Sequence, residues 1–126
     1  MMSLKSPIGR ARGLGSAKDG LHHWWMQRIS AVLLVPLSLW FVFSIACLVG
    51  SDYQTVVAWI AAPWVAVSLV IYFAALFYHS QLGVQVVIED YVHGPAKKLI
   101  SMYLMKLAHL VLAVAAIFAV VRIALA

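Results

Sequence analysis

Residues 29–51 read ISAVLLVPLSLWFVFSIACLVGS, 23 positions without one formal charge. A helix needs about 20 apolar residues to cross roughly 30 Å of hydrocarbon, so this stretch suffices for one membrane span. Two more stretches of the same kind follow. From Tyr53 to Ile88 there are 36 residues with no Asp, Glu, Lys or Arg, too many for one straight crossing. Pro63 divides them, because proline suits the first turn of a helix, where its missing N–H would have no partner. Thr55–Ala62 then reads as a short interfacial piece and Pro63–Ile88 as the second span. The third block runs from Leu99 to Leu125, interrupted only by Lys106 and Arg122. The expected fold is an all-α membrane protein with three transmembrane helices, over about 29–50, 63–88 and 99–125.

The composition agrees. The 126 residues are 65% hydrophobic and 10% charged, with a mean hydropathy of +0.99. A water-soluble domain carries roughly 25% charged residues to cover its surface. A soluble enzyme, a disordered tail and a disulfide scaffold are excluded. The one cysteine, Cys47, lies in an apolar run and offers neither a disulfide nor a thiolate cluster.

The net charge of +5 follows from where the basic residues stand. Lys5, Arg10, Arg12, Lys18 and Arg28 precede the first apolar run, and Lys97 and Lys98 precede the last. Placement at the ends of apolar segments is the positive-inside pattern, not a nucleic-acid face. Residues 1–28, with Gly9, Gly13, Gly15, Gly20 and Pro7, are expected to form a flexible, basic cytoplasmic tail, and 29–126 the three-helix anchor. The tail is too long and the following apolar run too wide for a secretory signal, so the first span is expected to be retained. The first loop carries only Asp52, whereas the second carries Lys97 and Lys98 opposite Glu89 and Asp90. This bias puts the N-terminus inside and the C-terminus outside. Trp24 and Trp25 stand where an interfacial aromatic belt anchors the first span, while Trp40, Trp59 and Trp64 read as packing or outer-leaflet residues.

Ionisable side chains within spans are costly and so mark candidate sites. His79 lies 11 residues before Asp90, about 16 Å along a helix axis and nearly on the same face. Gly83, one turn on, would admit a flat cofactor or a neighbouring backbone. Two readings stand for this imidazole: an axial ligand of haem iron, or a hydrogen bond to a neighbouring helix. His109 lies at nearly the same depth in the third span, either as a second imidazole across a shared haem or as a partner for Ser101 or Ser68. Glu89-Asp90-Tyr91 ends the second span. A phenol and a carboxylate there suit the carbonyl and proton chemistry of a quinone, and equally an interfacial tyrosine beside a solvated acidic pair. Arg28 reads as a positive-inside anchor or as a partner for a haem propionate. His22, His23 and His93 flank spans, and Met26, Met102 and Met105 read as packing.

The segments Arg12-Gly-Leu-Gly-Ser-Ala-Lys18, His23-Trp-Trp-Met-Gln-Arg28, His79-Ser-Gln-Leu-Gly83 and Glu89-Asp-Tyr-Val92 together resemble the small hydrophobic membrane anchors of succinate dehydrogenase, in their alphaproteobacterial form. The resemblance extends from about residue 10 into the third span. It implies three transmembrane helices in a bacterial inner membrane, paired with a second, cytochrome b-type anchor. Together the two anchors hold a flavoprotein and an iron–sulfur protein on the cytoplasmic side, in an electron-transport complex of the tricarboxylic acid cycle. It further implies one haem b between the anchors, with His79 as an axial ligand and the second ligand from the cytochrome b-type anchor. Tyr91 becomes the phenol that contacts ubiquinone, with Asp90 beside it, and Arg28 a propionate partner. Fumarate reductase anchors share this architecture. A cofactor-free structural or assembly protein is the competing class.

Topology is testable directly. A cysteine placed at position 97 should react with an impermeant maleimide only from the cytoplasmic face of sealed vesicles, and one at position 52 only from the other. Labelling of position 97 from outside would invert the expected topology.

Overall fold

The computed structural model describes residues 7–8 and 17–126. Half of the expected tail, with Lys5, Arg10, Arg12 and positions 12–16 of the glycine-containing motif, lies outside the described residues. Four helices follow in order: α1 (Ala17–Leu48), α2 (Tyr53–Ala61), α3 (Pro63–Tyr91) and α4 (Pro95–Leu125). Three of them, α1, α3 and α4, are long and apolar enough to cross a membrane. Among the described residues there is no strand.

The spans match the apolar blocks, and the helices overrun them. Residues 17–28, expected as the end of a flexible tail, are instead the first turns of α1. Once a span has nucleated a helix, each further residue adds a backbone bond at little cost, and only Gly20 in this stretch is a poor helix former. α3 likewise runs past Ile88 to include Asp90 and Tyr91, and α4 starts at Pro95, ahead of Leu99. α1 continues through Pro36, an interruption that membrane helices tolerate.

The connections are set by their caps. Gly50 takes a φ of 82° after α1, a conformation that costs glycine nothing. Asp52 then caps α2, its Oδ1 accepting from the Thr55 backbone N–H at 2.9 Å. The Thr55 hydroxyl, and after it the Thr55 N–H, hold the Asp52 carboxyl below the usual carboxylate range. The cap is therefore formed at neutral pH and fades as the pH falls through that lowered value. Ala62 is extended (φ −61°, ψ 125°), and Pro63 opens α3 at the position foreseen for it. Gly94, at φ 96°, separates α3 from α4, and Lys98 N–H closes the first α4 turn on the Gly94 carbonyl at 3.0 Å.

α3 is the helix on which both α1 and α4 pack, and α2 bridges α3 and α4 at the Asp52 end. The apolar core sits in that half. Val65, Ala66 and Leu69 of α3 meet Val120 of α4, with Trp40 and Phe41 of α1 and Trp59 and Ile60 of α2 packed around them. Trp40 stacks on Trp59 at 6.0 Å and lies 6.1 Å from Trp64, while Phe41 stacks on Tyr72 at 4.9 Å. Such aromatic pairs contribute about 0.5–1.5 kcal/mol beyond their buried area. Trp40 and Trp59 are thus packing residues, whereas Trp64, 63% exposed, touches the cluster only from its outer side. Met105 is buried as well, as its packing reading expects.

Towards the other end the helix contacts become polar. Between α3 and α4, Ser80 Oγ lies 3.1 Å from His109 Nε2, and His109 Nδ1 lies 2.9 Å from the Met105 carbonyl. A carbonyl only accepts, so Nδ1 carries the proton and Nε2 of the neutral ring accepts from the Ser80 hydroxyl. Of the two readings of His109, the interhelical hydrogen bond is the one realised, with Ser80 as partner instead of Ser101 or Ser68.

An interhelical bond of this kind contributes about 0.6–2 kcal/mol. His109→Ala and Ser80→Ala should each lower the unfolding free energy of the detergent-solubilised protein by an amount in that range. The double variant should cost less than the two single losses added, because both remove one bond. Full additivity in that cycle would mean that the Ser80–His109 contact contributes nothing.

Candidate functional site

The second polar contact between helices joins α1 to α3 around His79. Ser30 is the only buried polar residue among the described residues, at 7% exposure. Its Oγ lies 2.7 Å from the Met26 carbonyl, 3.1 Å from the Gln27 carbonyl and 2.9 Å from His79 Nδ1. One hydroxyl has one proton. Both carbonyls can only accept, and two acceptor oxygens 2.7 Å apart with no proton between them would repel. The Ser30 hydroxyl therefore donates to its own helix, as serine in a membrane helix commonly does, and its lone pair faces His79. Nδ1 of His79 must then be the protonated nitrogen, donating to Ser30. This leaves Nε2 of the neutral ring with a free lone pair, and among the described residues Nε2 has no hydrogen-bond partner.

The surroundings of this ring are apolar. His79 is half-buried and borders an open groove of about 470 Å³ whose other walls belong to α1, among them Leu34, Val35 and Ser38. An oriented imidazole nitrogen beside an apolar groove can bind a metal centre as one ligand or accept a single hydrogen bond. It cannot by itself form a cage for a bare ion, and among the described residues no three His, Cys, Asp or Glu side chains converge.

The remaining candidates are dispersed. His109 uses both nitrogens, on Ser80 and Met105, so the two histidines do not form an intrachain pair of ligands. A Cβ added to Gly83 would meet only Gln27 Nε2, at an ordinary 3.8 Å. That glycine therefore faces α1, and the structure demands no flat group against it. Arg28 is exposed, with its guanidinium carbon 5.1 Å from the centroid of the Trp24 ring. This cation–π contact fits the anchoring reading, and it does not bring Arg28 to His79. Asp90 and Tyr91 are exposed in the last turn of α3, Tyr91 at 79%. Their neighbour Glu89 is engaged instead, its Oε1 accepting from Gln85 Nε2 at 2.9 Å and its carbonyl from Lys98 Nζ at 2.8 Å.

Three participants were not legible in the sequence. Ser30 looks like Ser38 and Ser44, a small polar residue in an apolar run, and only the helix packing selects it. His23 flanks the first span and reads as interfacial, and Gln27 is one more polar residue ahead of the apolar run. In the structure, Gln27 Oε1 and His23 Nε2 are buried without a hydrogen-bond partner, one turn apart on α1.

The family model described as succinate dehydrogenase/fumarate reductase transmembrane subunit matches residues 2–121. A succinate dehydrogenase hydrophobic membrane anchor subunit of Rickettsia bellii is 40% identical over 88 residues, covering 70% of each chain. The succinate dehydrogenase membrane anchor subunit of Reclinomonas americana is 35% identical over 71% of this chain and 77% of its own. A hydrophobic membrane anchor subunit from Paracoccus denitrificans is 29% identical over 95% of this chain and 92% of its own. No solved structure matches. With its family match spanning nearly the whole chain and its three membrane-length helices in place, the chain belongs to the succinate dehydrogenase/fumarate reductase transmembrane subunits.

Proposed function

We propose that this chain is the small anchor of a bacterial succinate:quinone oxidoreductase, giving His79 to haem b and Tyr91 with Asp90 to the ubiquinone reduction site. In this role it sits in the inner membrane beside a cytochrome b-type anchor, with the iron–sulfur protein and the flavoprotein docked on the cytoplasmic side. The observation that carries the reading is the His79 ring, with Nδ1–H spent on Ser30 and the Nε2 lone pair left free. Axial imidazoles of haem bind iron through one nitrogen while the other donates a hydrogen bond, so the residues present fit the group. The apolar groove beside the ring suits a largely hydrophobic macrocycle. Haem, when bound, supplies a one-electron carrier within the membrane.

The second ligand comes from the partner anchor, because His109, the other histidine at that depth, is committed to Ser80 and Met105. The long exposed apolar face of α1, with Val32, Val35, Leu39 and Phe43 all above 60% exposure, suits such a neighbour.

Tyr91 and Asp90 serve a different step. Reduction of a quinone builds negative charge on its carbonyl oxygens, and a phenol O–H donated to one of them stabilises that charge as it forms. The exposure of Tyr91 at the helix end leaves its hydroxyl free for a molecule arriving from the membrane edge. Asp90, adjacent and exposed, is placed to relay a proton from the aqueous side.

His79→Ala should abolish the low-spin b-type spectrum of the purified complex or convert it to high spin, whereas His109→Ala should preserve it. The reverse pattern would remove His79 from the haem. Tyr91→Phe should leave the spectrum and succinate oxidation by an artificial acceptor intact. It should slow quinone reduction roughly 10- to 150-fold, the equivalent of about 1.5–3 kcal/mol for one hydrogen bond to developing charge. Unchanged quinone reduction would take Tyr91 out of the site.

A further inference from the structure

We infer that Ser30 is a positioning residue for the haem ligand, its Oγ accepting from His79 Nδ1–H so that the ring is held in one tautomer and its Nε2 made more electron-rich. The inference rests on the reading of His79 as an axial ligand and adds a residue on a different helix. Three distances carry it. The bonds from Oγ to the Met26 and Gln27 carbonyls, at 2.7 and 3.1 Å, fix the direction of the hydroxyl proton. The 2.9 Å contact to Nδ1 then admits only one direction of donation. Rotation of the hydroxyl towards the ring would leave the Met26 carbonyl facing an oxygen lone pair, so the backbone of α1 holds the acceptor in place. At 7% exposure, Ser30 has no water to substitute for this partner.

Two consequences follow for the bound state. In the other tautomer Nε2 carries the proton and cannot ligate, so locking Nδ1–H keeps the ring competent for binding before haem arrives. A hydrogen bond donated from Nδ1 also pushes electron density towards Nε2, which favours ferric over ferrous iron and lowers the midpoint potential. Outer-shell partners of this kind are typically worth about 10- to 100-fold in metal affinity.

The test uses the purified complex with all its subunits and two variants of equal shape, Ser30→Thr and Ser30→Val. Threonine in a helix can make the same backward bond to a carbonyl and keeps the oxygen at the ring. Valine keeps the bulk and removes the oxygen. Optical redox titration should give Ser30→Thr the wild-type haem midpoint. Ser30→Val should rise by about 59 mV for a tenfold loss of ferric preference, and should lose haem faster to an apo-myoglobin acceptor. Equal midpoints and equal haem loss in the two variants would overturn the inference, whether both match the wild type or both shift, since a shared shift reports packing alone. His79→Ala is run alongside. If it retains low-spin haem, the ligand assignment falls and the Ser30 role with it. If it loses the haem while the two Ser30 variants agree, only the Ser30 role falls.

Discussion

A polar group in hydrocarbon has no water to turn to, so each one must find its partner within the protein. That constraint orders this chain. It forces the backbone into helices, whose bonds close within each segment, and it leaves the few polar side chains in the spans with little freedom. Ser30 turns back onto the Met26 and Gln27 carbonyls and then meets His79. His109 turns back onto the Met105 carbonyl and meets Ser80. In both pairs, one member bonds to its own backbone and thereby presents a fixed donor or acceptor to the next helix. The two pairs are alike in form and opposite in result. His109 ends with both nitrogens spent, whereas His79 keeps one.

The helical plan was legible because lipid removes most alternatives. Uncharged runs of 23 and 36 residues, the second with Pro63 inside it, and the apolar block Leu99–Leu125 leave little choice but three crossings and a short extra helix. Helix ends were less legible, since hydropathy marks where the apolar run stops and not where backbone bonding stops. The turns of α1 before Ile29 and the inclusion of Tyr91 in α3 are of that kind. The site was legible by residue type and depth but not by direction. Spacing put His79 and His109 at similar depths, and nothing in a linear sequence shows which way either ring points. Ser30 is the clearest case: one serine among several in the spans, distinguished only by the packing of α1 against α3.

The packing is unequal along the bundle. Near Asp52 the helices are held by an apolar core and an aromatic cluster of Trp40, Trp59 and Trp64. Nearer the Tyr91 end single hydrogen bonds join the helices beside scattered buried side chains such as Leu82 and Met105, and Gln27 and His23 contribute buried atoms that have no partner among the described residues. Buried unpaired polar atoms are expensive, and their rarity in folded proteins makes each one informative. Their position on α1, within a turn or two of Ser30, concentrates incomplete chemistry in one half of the molecule and complete packing in the other.

That division fits a chain that forms one half of a site. A haem held between two imidazoles would need a second ligand beside His79 and a wall on its other face, and the described residues of these three long helices supply neither. α3 is covered by α1 on one side and α4 on the other, so the side chains it offers must pass between its neighbours or leave at its end. His79 does the first, opening onto the groove along α1. Tyr91 and Asp90 do the second, emerging where α3 stops. The same central helix therefore carries both proposed roles, and the helical rise between residues 79 and 90 separates them by about 16 Å. Rigid helical backbone fixes that separation, so the geometry between the two sites does not depend on any loop. Each site still needs its other wall, and the exposed apolar face of α1 is the surface on which a second anchor would supply it.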